Sequence, residues 1–289
     1  MIVTQQQLGP DGERISQLLS FPQRYEYKYV VDLHCASELR SVVRLFLPPD
    51  PYAADRPGFA YPICSLYLDT EDMRLYRQSL TGEKTRFKLR LRSYSDDPDS
   101  LVQLEIKRRL DRVVQKRRVA LTRRQIDLFA AKSTNGWTNG IPETVLRELE
   151  RFADHTRLAS ARPLLKVRYL REAYESPAEP LRITFDTEVE HALSLDWNLC
   201  LEDPRWKPTP LPERNAMEPV PQREDRGAFV IFEIKFTDVF PSWIQDLVRR
   251  FGLEPRSVPK YALSLDELLR ATSARGVSDA GFRVPRRVG

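Results

Sequence analysis

Residues 84–93 read Lys-Thr-Arg-Phe-Lys-Leu-Arg-Leu-Arg-Ser. Lys84, Arg86, Lys88, Arg90 and Arg92 take every second position, and Phe87, Leu89 and Leu91 fill places between them. Successive side chains of a strand point to opposite faces, so this period makes one face wholly cationic and the other apolar. A helix would scatter the same charges around its axis. The segment reads as a strand.

The alternation recurs along the chain. In residues 24–31, Arg24, Glu26 and Lys28 share one face and Tyr25, Tyr27 and Tyr29 the other. In 101–109, Gln103, Glu105 and Lys107 alternate with Val102, Leu104 and Ile106. Residues 112–121 bring Arg112, Lys116 and Arg118 together, and 229–236 set Glu233 and Lys235 against Val230, Phe232, Ile234 and Phe236. Residues 181–189 carry Arg182, Thr184, Asp186 and Glu188 opposite Ile183, Phe185 and Val189. Residues 61–69 and 164–174, the latter charged on both faces, bring the strand candidates to eight.

Such strands can turn the apolar face to a core and the charged face to water, the usual antiparallel arrangement. They can also turn the charged face inward around an anion. Like charges on one short face repel each other, and neighbouring strands add to the repulsion. The cations are interrupted by Glu-x-Lys pairs at 26/28, 105/107 and 233/235. An eight-stranded closed sheet has an interior wide enough for side chains and one small ligand. The expected fold is therefore α+β: an antiparallel eight-stranded β-barrel with helices packed outside on its apolar faces.

Helices to supply that cover are predicted at 36–47 (capped by Asp32), 71–80, 123–132, 142–152, 241–251 and 263–271. The expected organisation is an N-terminal extension (1–20), one tunnel domain (21–272) with a Pro-rich surface loop (202–227), and a flexible tail (273–289). With 41% apolar and 30% charged residues, the 289-residue chain is too apolar for disorder and too charged for a membrane protein. Neither a spanning apolar run nor a signal peptide is visible, and Cys35, Cys64 and Cys200 lack metal spacing. These features lead us to expect a cytoplasmic protein with reduced thiols. The formal net charge of +5 points towards an anionic partner.

Phosphate chains carry the charge density that such a face would neutralise through charge-assisted hydrogen bonds. Phosphate would repel interleaved glutamates unless a divalent cation lay between them, and Mg²⁺ takes carboxylate, water and phosphate oxygens together. Glu26, Glu105 and Glu233 are thus metal candidates, with salt bridges that space out the cations as the competing role. The sequence has no Walker loop, dinucleotide fingerprint or nucleophile elbow, and His34, His155 and His191 have no partners at metal spacing. Catalysis would then rest on positioning and electrostatics, which suffice for phosphoryl transfer.

The ordered series R-Y-E-Y-K-Y (24–29), S-L-Y-L-D-T (65–70), K-L-R-L-R-S-Y (88–94), L-E-I-K-R (104–108), Y-L-R-E-A-Y (169–174), R-I-T-F-D-T (182–187), F-E-I-K (232–235) and V-P-K-Y (258–261) resembles the VTC domain. This is the polyphosphate polymerase domain of the vacuolar transporter chaperone group, within the CYTH-like triphosphate tunnel metalloenzymes. The resemblance implies transfer of the ATP γ-phosphate to a growing polyphosphate chain, with Mn²⁺ or Mg²⁺. It implies phosphate-binding and catalytic roles for Arg90, Arg92, Arg171, Arg182 and Lys260. It implies substrate contacts from Lys28, Lys107 and Tyr169, with Lys88, Lys116, Arg118 and Lys235 on the same face, and metal binding by Glu233, beside which the charge pattern keeps Glu26 as a second metal candidate. It also turns Tyr169 and Arg171 inward and Lys166 and Arg168 outward.

Two departures stand out. Arg24 replaces the first Glu of the Glu-x-Glu-x-Lys motif in hydrolytic relatives, and Ala262 stands where related sequences tend to carry Ser. The implied partners are ATP and polyphosphate, with no nucleic acid, and a separate membrane partner if the product is exported. The competing functions are a triphosphate or polyphosphate hydrolase and a non-catalytic module binding polyphosphate, phosphoinositide or nucleic acid.

Overall fold

A computed structural model of the chain describes residues 7–8, 14–15, 24–111, 113–131, 138–211 and 229–274. The tail from 275 onward, most of the N-terminal extension and the Pro-rich loop over 212–228 lie outside the described residues. The eight expected strands are present: β1 (Arg24–Asp32), β2 (Ala60–Asp69), β3 (Thr85–Ser93), β4 (Leu101–Leu110), β5 (Val113–Thr122), β6 (Arg162–Glu175), β7 (Arg182–Leu193) and β8 (Phe229–Thr237). They pair antiparallel in the order β1-β8-β7-β6-β2-β3-β4-β5. A two-residue segment, Lys207–Pro208, adds to the free stretch of β7.

The expected closed barrel is corrected to an open, curled sheet, because no ladder among the described residues joins β1 to β5. The curl is nevertheless strong. Lys107 of β4 lies within electrostatic reach of Glu26 and Lys28 of β1, and Lys88 of β3 also feels Lys28. Strand β5, at this open edge, carries Lys116, Arg117 and Arg118 and no carboxylate.

The outer apolar faces are covered as the periodicity requires. Helices α1 (Leu33–Phe46) and α5 (Ser242–Arg250) place Leu39, Val43, Ile244 and Leu247 on Tyr29, Phe185, Phe232 and Ile234. Asp32 caps α1 by accepting from the Cys35 amide at 2.7 Å. Helices α3 (Arg123–Ala130) and α4 (Glu143–Ala159) place Ile126, Leu149 and Phe152 on Leu66, Leu89, Leu91 and Leu104. Each fully buried side chain of this kind contributes about 1.5–3 kcal/mol.

The short helix α2 (Arg74–Leu80) starts later than the sequence suggested, after Asp69 accepts from the Leu75 and Tyr76 amides. Helix α6 (Lys260–Ala274) departs from the expected outside position. Its Tyr261, Ala262 and Leu265 pack on Ile63, Val167 and Ile231. By register, Ile231 faces the same side as Asp186, and Val167 the same side as Ser65, so this cluster lies on the inner face. That face turns apolar at Val30, Ile231, Leu165 and Val167, and α6 buries it as a plug. Among the described residues, no helix is long and apolar enough to cross a membrane.

Candidate functional site

In an antiparallel sheet, cross-strand partners share a face. Following partners from one edge to the other traces a continuous charged surface. It runs from Glu26 and Lys28 (β1) to Lys235 and Glu233 (β8), then to Arg182 and Asp186 (β7). It continues through Arg171 (β6), then Tyr61, Ser65 and Tyr67 (β2), to Arg92, Arg90 and Lys88 (β3). Glu105 and Lys107 (β4) face Arg118 and Lys116 (β5) at the far edge. The predicted site residues on the strands therefore sit on one concave surface, and Lys260 enters it from the start of α6.

The surface is organised around buried carboxylates. Asp186 is fully buried and accepts from Arg171 through both oxygens, at 2.6 and 2.7 Å, and from Lys260 Nζ at 2.6 Å. Burial opposes its charge, yet Arg171 and Lys260 outweigh that and hold its pKa below the ordinary value. Tyr169 lies beside both cations, 4.7 Å from Lys260 Nζ and 5.3 Å from the Arg171 guanidinium carbon. Arg171 also reaches Glu233 at 3.6 Å, and Lys235 and Lys28 approach the other Glu233 oxygen at 2.9 and 3.9 Å. Lys28 bonds Glu26 at 2.7 Å. Burial works against the charge on Lys28, but the Glu233 and Glu26 carboxylates raise its pKa.

On the opposite wall, buried Glu105 is clamped between Arg90 and Lys116, the latter at 2.6 Å. Burial would raise its pKa, but Arg90 and Arg92 bring it down to about 2. Arg90 also donates to the Tyr67 hydroxyl at 3.3 Å. Tyr67 is buried, yet Arg90, Arg92 and Lys88 pull its phenol below the ordinary value, which shows how cationic this wall is. Glu105 is thus engaged in salt bridges.

The cations divide into two classes. Arg90, Arg171, Arg182, Lys260, Lys28, Lys116 and Lys235 have carboxylate partners. Lys88, Arg92, Lys107 and Arg118 form no ion pair among the described residues, and Arg92 has only a 3.4 Å contact to Ser65 Oγ. Burial and neighbouring cations lower the pKa of Lys88 and Lys107, Tyr67 acting against this for the first and Glu26 for the second. Lys88 and Arg92 are half-buried and Lys107 and Arg118 exposed, so all four are open to an anion on this face.

No group of three or more His, Cys, Asp or Glu side chains is arranged to hold a metal among the described residues. The fit to a hard cation rests on Glu26 and Glu233, diagonal neighbours on the paired strands β1 and β8 that share Lys28 at 2.7 and 3.9 Å. Lys28 and Lys235 keep Glu26 ionised against the cost of burial. Two ionised carboxylates side by side match Mg²⁺ or Mn²⁺, which take one or two carboxylates and complete their shell with phosphate and water oxygens.

Sequence reasoning gave Asp186 no role, because its bidentate grip on Arg171 depends on the β6–β7 register and not on any local pattern. Tyr67 and Asp50 were missed for the same reason. Arg182 sits at one end of the cleft, bound to Asp50, to Glu175 at 2.5 Å and to Tyr61 at 3.2 Å. Lys166 and Arg168 point outward as expected, but are not left to solvent. Lys166 is fully buried against Asp203, and Arg168 bonds Glu190 at 2.6 Å and the Leu201 carbonyl at 2.7 Å. Ala262 is buried in the apolar plug. His191 is buried and bonded to Thr209 at 2.9 Å.

Comparison with solved structures finds similarity to the PH1819 protein of Pyrococcus horikoshii (14% identity, TM-score 0.43, covering 85% of this chain and 99% of that one). A candidate adenylate cyclase from Bacillus halodurans is similar at 13% identity and TM-score 0.43, covering 81% of this chain and 91% of that one. A search of curated proteins returned no match. The VTC domain model matches residues 23–269, from the first strand of the charged face through the helix that plugs it, and the chain belongs to the VTC domain family.

Proposed function

We propose that this protein is a metal-dependent polyphosphate polymerase that moves the γ-phosphate of ATP onto an inorganic polyphosphate chain along the concave face. The observation that carries the reading is the set of inward cations with no carboxylate partner among the described residues, Lys88, Arg92, Lys107 and Arg118, on the same face as Glu26 and Glu233. Family membership supports the same chemistry.

Arg92, Lys88 and Lys107 neutralise the phosphate oxygens, while Arg90 is oriented by Glu105 and Arg171 by Asp186. Lys28, Lys235 and Lys260 stand on the facing wall with Tyr169 beside them, and Lys116 and Arg118 extend the cations to the far edge. Glu233 and Glu26 would hold the metal, which supplies charge neutralisation between nucleotide and chain phosphates. A terminal oxygen of the chain attacks the γ-phosphorus in line. A P–O bond forms, the bond to the β–γ bridging oxygen breaks, and ADP leaves with its electron pair. No side-chain nucleophile is required, because this transition state mainly needs positioning and charge stabilisation.

Purified full-length protein incubated with ATP and Mn²⁺ should give a ladder of polyphosphate on a gel, with one ADP per phosphate added. Free phosphate without a ladder would replace this reading with the hydrolase. Neither product, with tight tripolyphosphate binding, would make the protein a binding module.

A further inference from the structure

At the end of the cleft where β6 and β7 begin their pairing, the chemistry changes. A cavity of about 320 Å³ opens there, lined by Asp50, Tyr52, Tyr61, Tyr94, Glu175 and Arg182. Ligand sites of small molecules start at roughly this volume. Tyr52 meets Tyr61 edge-on with ring centroids 4.8 Å apart, and Tyr94 lies 5.7 Å from Tyr52 and 6.1 Å from Tyr61.

Tyr61 is locked in place. Its hydroxyl donates to Asp50 Oδ2 at 3.3 Å and accepts from Arg182 Nη2 at 3.2 Å. Tyr52 and Tyr94 remain partly open, and Arg56 lies over the Tyr52 ring at 4.3 Å. The cavity leads onto the cationic floor at two points. Tyr94 follows Arg92 by two residues, and Tyr61 is the cross-strand partner of Arg171.

A phosphate chain alone has little use for this cavity, since its one cation, Arg182, is already shared by Asp50 and Glu175 and three aromatic rings offer phosphate nothing. A flat, uncharged ring joined to phosphates fits both halves. Aromatic side chains recognise nucleobases by stacking, with little dependence on which base is present. We infer that the Tyr52–Tyr61–Tyr94 cavity receives the nucleoside of the nucleoside triphosphate, its phosphates running towards Arg92 and Arg171. The inference rests on the phosphate-transfer reading above and adds a direction to it. The donor enters at the tyrosine end, and the growing chain lies towards Lys88, Lys107 and Lys116.

The test is calorimetric titration of the full-length protein with ATP and with inorganic tripolyphosphate at one Mg²⁺ concentration. The double variant Tyr52→Ala/Tyr94→Ala should bind ATP about tenfold more weakly while its tripolyphosphate affinity stays within about twofold. Tyr52→Phe/Tyr94→Phe keeps both rings and should retain ATP affinity, which separates lost stacking from lost folding. Equal loss for both ligands, or no loss for either, would overturn the inference. Wild-type protein that binds ATP but not tripolyphosphate would overturn the phosphate-floor reading, with the alanine variant still reporting on the cavity. Wild-type protein that binds neither overturns both.

Discussion

Replacing Glu233 by Gln should lower phosphate transfer by about 100-fold or more while leaving the protein folded. The size of the effect follows from what surrounds the carboxylate. Glu233 is 3% exposed, and burial alone would raise its pKa. Lys235, Lys28 and Arg171 together outweigh burial and Glu26 and hold its pKa below the ordinary value, so it is ionised at neutral pH. Glutamine keeps the shape and loses that charge, and a neutral amide oxygen is a weaker ligand for a hard cation. Losing one electrostatic element of a transition-state site costs about 10²–10³ in rate. Folding should survive, because Lys28 and Lys235 reach solvent and can hydrate when their partner is neutral. Binding of tripolyphosphate without metal should be preserved or strengthened, since the substitution removes a negative charge from the floor. Wild-type turnover at the same metal concentration would contradict the role given to Glu233.

Asp186→Asn should act on stability first. Asp186 is fully buried and holds two cations, Arg171 and Lys260, whose side chains are 10% and 11% exposed. Removing one partner of a buried ion pair leaves an uncompensated charge and costs about 3–5 kcal/mol. For a chain of this size, that lowers Tm by roughly 10 °C. Tripolyphosphate should then raise the Tm of the variant more than that of the wild type, because it supplies the missing anion to Arg171 and Lys260.

The pH dependence has a definite sign. The folded pKa of Asp186 lies below its ordinary value, so its contribution is complete above about pH 4, near the unfolded value, and is lost as pH falls through the folded one. The gap between wild type and variant should therefore narrow in acid. A variant with unchanged Tm at neutral pH would show that Asp186 does not anchor the site.

Much of this site is local information. The alternation in 84–93 already separated a cationic from an apolar face, and the same parity placed Glu26, Lys28, Glu105, Lys107, Glu233 and Lys235 correctly on one surface. Parity says which residues share a face within a strand. It does not say which strands are neighbours, and the remaining features depend on that. Asp186 binds Arg171 only because β6 and β7 pair in that register. The tyrosine cavity joins residues from a loop, β2 and the end of β3. The open seam also escaped local reading, because whether β1 meets β5 is a matter of pairing between strands far apart in the sequence. Helix α6 was expected outside, since its apolar stripe does not reveal whether the sheet surface it covers is convex or concave. The apolar run at Val30, Ile231 and Val167 on the inner face was the available signal.

The concave face should bind an oligophosphate through cations that have no ion-pair partner among the described residues. This is tested most directly by calorimetric titration of tripolyphosphate into the wild type and into Lys88→Ser/Arg92→Ser/Lys107→Ser. Hydrogen bonds to charged groups contribute about 1.5–3 kcal/mol each, so the triple variant should bind at least about 100-fold more weakly. It should also fold normally, because it removes no ion pair among the described residues. Wild-type affinity in the triple variant would contradict the account and place the phosphate site elsewhere.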